Sequence, residues 1–268
     1  MEFDARAKNY LHVKLKPKAP GVESFAHPAL VNTYTEGENL VLVFEPGDVN
    51  GILRAILDSF PGAEVLDTGL YPSLGRLSGY RLRYGPLTLV SPGEGVTPQP
   101  GEIVLETDFS FGSGFHPTTK LSALLLAELF EQERPRRVFD LGTGSGVLAL
   151  CAASLGAAQV LAADIDERAV REAWKNVRRN RYEDRILVVK GSLSCGREHF
   201  FELLLANLTI GTILTLGSEF PAVLAPGGFM ILSGFTAGQV EEVRGLFPQA
   251  RLVKTLEEEG WAAVLLAL

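Results

Sequence analysis

Cysteine is scarce in this chain: Cys151 and Cys195 are the only two among 268 residues. Two cysteines so placed make neither a disulfide scaffold nor a metal-ligand spacing, so no metal is expected and the thiols read as reduced, as in the cytoplasm. Long apolar runs are missing too. No stretch reaches the roughly 18–20 apolar residues needed to span a bilayer. Met1 to Lys18 is broken up by Asp4, Arg6, Lys8, Lys14 and Lys16, which leaves no apolar centre for a signal peptide. Positive charge is in deficit, with 25 Lys and Arg against 32 Asp and Glu, for a net −7. An acidic body suits phosphate backbones poorly, so neither nucleic acid nor a membrane is expected as a direct partner, whereas a basic protein is compatible. There is no internal repeat and no low-complexity tract. A hydrophobic content of 46% with 21% charged residues argues against long disorder.

The pattern of elements changes along the chain. Residues 1–85 read as a small α+β domain. Tyr10–Leu15 and Asn39–Phe44 are strand-like, and Ala63–Leu66 begins another strand. Asp48 sits where a helix cap belongs, ahead of Val49, Ile52, Leu53, Ile56, Leu57 and Phe60 on one helical face; Pro61-Gly62 stops that helix. The span 86–101 is rich in Gly and Pro and reads as a linker. Residues 102–268 read as a second domain. Short apolar runs at 137–140, 159–164, 185–190, 202–207 and 229–233 alternate with helical patterns. That alternation predicts a doubly wound, mostly parallel α/β sheet covered on both faces, with its ligand beyond the carboxyl ends of the strands. Arg251–Leu256 and Trp261–Leu266 flank Glu257-Glu258-Glu259-Gly260 as a terminal hairpin, whose glutamates read as a solvated turn.

One strand end carries chemistry. Val138-Phe139-Asp140-Leu141 runs into Gly142-Thr143-Gly144-Ser145-Gly146, and a helix is expected from Val147. Small residues in such a turn let a ligand touch the backbone. Asp164, about 20 residues on at the end of the next strand, is placed to accept both hydroxyls of a ribose. The spacing is G-x-G-x-G, and Val147 stands where a dinucleotide fingerprint has its third glycine. A ligand without pyrophosphate is therefore favoured, with Asp140 suited to an amine.

Two further segments narrow the reading. Phe111-Gly112-Ser113-Gly114-Phe115-His116-Pro117-Thr118-Thr119 precedes the first helix of the second domain, and Ala206-Asn207-Leu208 ends its fourth strand. Together with Asp140–Gly146 and Asp164-Ile165-Asp166, in this order, they resemble the ribosomal protein L11 methyltransferases over about residues 101–268. The resemblance implies a seven-stranded class I methyltransferase sheet and S-adenosyl-L-methionine as cofactor. It implies N-methylation of lysine and α-amino groups of a ribosomal protein as the activity. It places Phe111, Thr119, Asp140, Gly142, Gly144, Asp164, Ser192 and Asn207 at the cofactor, with Ser192 near the adenine and Phe111 in a loop closing over the methyl group. Asn207 is the implied catalytic residue, aiming the amine of the acceptor. The chain departs from the family in its first 85 residues, which show no match to the substrate-recognition domain, and in 66–100, which holds no tryptophan.

Other readings remain open at this point. The acceptor is alternatively another protein lysine or a small molecule, and a nicotinamide-dependent oxidoreductase or a non-catalytic binding module keeps the same fold. Thr118 or Thr119 serves equally as a helix cap, and His116 reads as a hydrogen bonder that orders its loop. Trp174 and Asn176 read as packing and surface of a helix. A monomer is favoured.

Overall fold

In a computed structural model of the chain, residues 9–17, 25, 27–36, 39–45, 47–72, 80–92, 96–106, 114 and 116–268 are described. The chain divides into two compact units, Met1–Arg76 and Leu77–Leu268.

The first unit holds strands β1 (Asn9–Lys16), β2 (Leu30–Glu36), β3 (Asn39–Phe44) and β4 (Glu64–Pro72), with helix α1 (Val49–Ser59) between the last two. The strands pair antiparallel in the order β2-β3-β1-β4. Leu11, Val13 and Leu15 alternate along β1 and meet Leu42 and Phe44 of β3, and Ile52, Ile56 and Phe60 of α1 close the core. The Asp48 side chain caps α1 by accepting the Gly51 N–H, as its position before the apolar stripe implies.

The second unit opens with β5 (Tyr80–Tyr84), β6 (Leu87–Ser91) and β7 (Ile103–Val104), a three-stranded sheet. β6 lies inside the span read from sequence as a linker. Gly85-Pro86 is a tight turn between two strands there, and Leu87, Leu89 and Val90 are buried. Helix α2 (Pro117–Gln132) follows. Then come β8 (Arg137–Leu141), α3 (Val147–Leu155), β9 (Gln159–Asp164), α4 (Glu167–Arg179), β10 (Ile186–Lys190), β11 (Phe201–Asn207), α5 (Ile210–Leu216) and α6 (Phe220–Val223). The chain ends with β12 (Leu224–Thr236), α7 (Val240–Gly245), β13 (Arg251–Glu258) and β14 (Trp261–Ala267).

Strands β8 to β14 form one seven-stranded sheet in the order β10-β9-β8-β11-β12-β14-β13. The first five run parallel; β14 pairs antiparallel with both β12 and β13. Successive side chains point to opposite faces, so the apolar runs feed two cores. Val138, Leu203, Leu205 and Leu265 pack with α2 and α3 on one face. Phe139, Leu204, Ala206 and Val264 pack on the other, with Ile213, Phe220 and Val243 from the helices. Pro226-Gly227-Gly228 lies within β12 as an irregularity: the register jumps from Phe201↔Leu224 to Leu203↔Phe229 across it. Among the described residues no helix is long and apolar enough to cross a membrane.

Candidate functional site

The strand order reverses between β8 and β11, and the crevice beyond their carboxyl ends is where open α/β sheets bind ligands. β8 leads there into Gly142–Gly146, and Gly142, Gly144 and Gly146 take φ of +73°, +56° and +85°. Such angles are open to glycine and costly for other residues, so the sequence G-x-G-x-G dictates this turn. Four of its five N–H groups are spent within the protein. Those of Gly142 and Thr143 donate to Ala163 O at 2.8 and 3.0 Å, and that of Gly146 donates to Thr143 O at 2.9 Å. The Gly144 N–H donates to Asp164 Oδ2 at 3.0 Å. A pyrophosphate needs such N–H groups free at the helix start. Gly142, Thr143, Gly144 and Gly146 therefore hold no N–H in reserve for a phosphate, in keeping with the G-x-G-x-G spacing.

Asp140 lies inside β8, 1% exposed. Its Oδ2 accepts Thr143 Oγ1–H at 2.6 Å and the Ala149 N–H at 3.1 Å. The carboxyl thus ties the turn to the first residues of α3 from below. Burial pushes its pKa up from 3.8 to about 7, against the lowering effect of the two hydrogen bonds and with a smaller push from the Asp164 charge. The sign follows directly. Below pH 3.8 the group is protonated in folded and unfolded chain alike; between 3.8 and about 7 only the unfolded chain ionises, so stability falls as pH rises. The loss is about 4 kcal/mol once pH exceeds about 7. Asp140→Asn carries no such term. The stability of the variant relative to the parent is therefore expected to rise between pH 4 and 7 and to level off above that. Urea denaturation at a series of pH values checks this, and parallel curves for the two proteins would remove the buried acid from the account.

Asp164 ends β9. Besides the Gly144 N–H, it accepts the Asp166 N–H through Oδ1 at 2.9 Å. One oxygen thus holds the glycine turn and the other holds the start of α4, where Asp166 caps the helix. The carboxylate faces the turn, and each oxygen keeps a lone pair for a further donor. Beside it, Gly191 N–H donates to Asp164 O at 2.9 Å. That bond sets Ser192, half-buried, next to the same strand end and just before a 3₁₀ turn at Leu193–Cys195.

Asn207 ends β11 in register with Ser233. Its Nδ2 donates to Thr119 Oγ1 at 3.4 Å, joining the strand end to the first turn of α2. Oδ1 has no hydrogen-bond partner among the described residues. Thr119 is buried. It is not the cap of α2: His116 takes that place, its Nδ1 accepting the Thr118 N–H, while its ring packs edge-on to Trp261 with centroids 4.7 Å apart. Pro117 follows at the first helical position, where its missing N–H costs nothing. Leu208 wedges the site from the side, because a Cβ on Gly142 would come within 2.2 Å of its Cδ2.

Phe111 lies outside the described residues; nearby Gly114 is described, with its carbonyl accepting the buried Tyr84 hydroxyl at 2.7 Å. Asn176 is not surface: it is 1% exposed and donates to Ser145 O in the glycine turn at 3.0 Å. Its signal was present in the helix period, which puts Ala169, Ala173, Asn176 and Val177 on the core side of α4. An asparagine on that stripe has to find partners inside. Glu258 is not merely solvated, since it pairs with Lys120 of α2. Trp174 is half-exposed under the Arg178 guanidinium, as a surface residue would be.

Comparison with known proteins agrees with this geometry. Residues 83–267 match the family described as ribosomal protein L11 methyltransferase (PrmA). A protein of that name from Exiguobacterium sibiricum is 40% identical over 183 residues, 67% of this chain and 58% of its own length. One from Chloroflexus aurantiacus is 36% identical over 69% of this chain and 64% of its own. The chain thus spans about three fifths of the length of these relatives. A third, from Bradyrhizobium diazoefficiens, is 31% identical over 88% of this chain and 90% of its own. An alignment that long reaches well into the first 85 residues, which the sequence alone left unmatched. The crystal structure of a ribosomal protein L11 methylase from Lactobacillus delbrueckii subsp. bulgaricus superposes with a TM-score of 0.60 at 27% identity, covering 70% of this chain and 98% of that one. By sequence and by the fold around its strand ends, the chain belongs to the ribosomal protein L11 methyltransferase family.

Proposed function

We propose that the chain is an S-adenosylmethionine-dependent methyltransferase that N-methylates lysine and α-amino groups of ribosomal protein L11 in the cytoplasm. The observation that carries this reading is the meeting of Asn207 and Thr119 beside a glycine turn whose Gly144 N–H sits on Asp164. In this reading the second unit, which adds β5 and β6 to residues 102–268, is the catalytic part, and the first unit recognises the acceptor protein. The chain acts as a monomer, without direct contact to nucleic acid or membrane.

The cofactor supplies, when bound, a methyl group already activated on a sulfonium. The chain has to hold the sugar, bring backbone close, and aim an amine. Asp164 accepts the ribose hydroxyls, the turn 142–146 carries the rest of the nucleoside, Ser192 borders the adenine, and Asp140 keeps the turn in shape from beneath. Asn207 Oδ1 would accept an N–H of the incoming amine and so orient the lone pair of that nitrogen for in-line attack. An amine buried beside positive charge has a lowered pKa and loses its proton to water, so no strong base is assigned.

Asp164→Ala removes both the sugar contact and one anchor of the turn. It is expected to weaken S-adenosylmethionine binding by about 10- to 100-fold, the cost of losing hydrogen bonds to a charged group. Calorimetry measures this, and unchanged affinity would take Asp164 out of the site. The function is tested by incubating the chain with methyl-labelled S-adenosylmethionine and purified ribosomal protein L11. Label on that protein supports the full reading. Label only on a different protein or a small molecule overturns the acceptor and keeps the chemistry. A thermal midpoint raised by NAD and not by S-adenosylmethionine overturns the chemistry itself.

A further inference from the structure

Two asparagines one turn apart on α4 hold the same stretch of backbone. Asn176 Oδ1 accepts the Glu106 N–H at 3.0 Å, and its Nδ2 donates to Glu106 O at 3.0 Å. Asn180 repeats the pattern on Val104, accepting its N–H at 2.8 Å and donating to its O at 2.7 Å. Residues 104 and 106 lie on one edge of an extended chain, about 6.6 Å apart, and side chains at i and i+4 of a helix are spaced about 5–6 Å. The helix thus gives residues 104–106 the partners that a neighbouring strand would give. Arg179 of the same helix pairs with the Glu106 carboxylate.

Each amide nitrogen has a second acceptor: Asn180 Nδ2 donates back into the helix, to Asn176 O at 2.8 Å, whereas Asn176 reaches the glycine turn. Its Nδ2 also donates to Ser145 O at 3.0 Å. That carbonyl belongs to the peptide between Ser145 and Gly146, one residue beyond the Gly144 N–H that meets Asp164. The turn is then held on three sides: by Asp140 below, by Asp164 at Gly144, and by Asn176 at Ser145. Asn176 also connects it to Glu106, in the segment preceding α2. Gly146 brings the helix near enough for this contact, since a Cβ there would come within 3.3 Å of Ala173 Cα.

We propose that Asn176 is a positioning residue for the cofactor turn, acting through the carbonyl of Ser145, and that it ties this turn to the backbone of Glu106. The inference rests on the methyl-donor reading of the turn. Asn176 touches no reacting atom; it sets the orientation of the peptide against which the nucleoside lies. A purely structural strap would need Asn176 and Asn180 alike, whereas a positioning role separates them.

The experiment compares Asn176→Ala and Asn180→Ala in the full chain. Both are expected to lower the thermal midpoint, because each leaves part-buried backbone groups without their partners. Only Asn176→Ala is expected to weaken S-adenosylmethionine binding, by about tenfold by calorimetry, with Asn180→Ala within about twofold of the parent. In the methylation assay Asn176→Ala is expected to raise KM for the cofactor while leaving kcat at saturation within about threefold. If that variant does not fold, Asn176→Ser retains one donor and carries the test, with an expected fall of about threefold. Unchanged affinity in the Asn176 variant, or an equal loss in both, overturns the inference alone. No binding by the parent chain overturns the methyl-donor reading, and this inference with it.

Discussion

Asn207→Ala is expected to lower turnover by about 100-fold, the usual cost of letting a reacting group drift by about an ångström, while cofactor affinity stays within about threefold. Asn207 is placed by the sheet rather than by a loop. It is the last residue of β11, in register with Ser233, and the next residue, Leu208, donates its N–H to Ser233 O at 3.0 Å. Its Nδ2 is engaged by Thr119, so Oδ1 is the atom left to receive an amine. Alanine removes that acceptor and leaves the backbone intact. Asp164 and the glycine turn, which hold the nucleoside in the proposed mechanism, are untouched. Single-turnover methylation and calorimetry on the same preparation separate the two quantities. Turnover at the parent level would remove Asn207 from the chemistry, and a parallel loss of affinity would make it a binding residue instead.

Gly234→Ala is expected to be the most destabilising small substitution near the site, at about 3 kcal/mol or more. Gly234 takes φ of +99° where the pairing of β12 with β14 slips between Ser233 and Phe235. A Cβ there would stand 2.0 Å from Leu208 O, 2.6 Å from Leu208 C and 3.0 Å from Leu208 N, all of them backbone. Rotating a side chain cannot relieve that overlap. The expected fall in thermal midpoint is roughly 10 °C, given about 2–4 °C per kcal/mol for a unit of this size. Gly260→Ala is the control: φ is +79°, and nothing lies within 4 Å of the added carbon. It carries the backbone strain alone, about 1 kcal/mol. Equal shifts for the two variants would mean that Leu208 gives way. Because Leu208 follows Asn207, any Gly234→Ala protein that folds is also expected to lose turnover.

These two positions differ in how far the sequence exposed them. Asn207 stood at the end of an apolar run, in a triplet that resembled a known family, and needed no coordinates to be noticed. Gly234 sits inside a strand with no neighbouring motif. Its importance comes from a backbone carbonyl 26 residues away in the chain, and no local pattern reports that approach. Asn176 falls between them. The helix period puts it on the core side of α4, but the partners that use it, Ser145 and Glu106, lie 31 and 70 residues away. The small sheet β5-β6-β7 was also hidden: β7 has two residues, and Gly85-Pro86 ahead of β6 read as connection although it makes a tight turn.

The sequence by itself determined the alternation of short buried strands with helices, and hence a parallel sheet with its site at the carboxyl ends. It also determined the left-handed turn at Gly142–Gly146, because only glycine takes those angles cheaply at three positions in five. Only the tertiary structure decided how that turn is held. Asp140 holds the turn through Thr143 and Ala149, since a carboxyl buried in a strand must find its donors there. The cap of α2 fell to His116 rather than to a threonine, and the amide of Asn176 reached the turn from the side. Spacing along the chain fixes which backbone angles are available. Which buried polar group meets which is settled by the packing of elements that lie far apart in sequence.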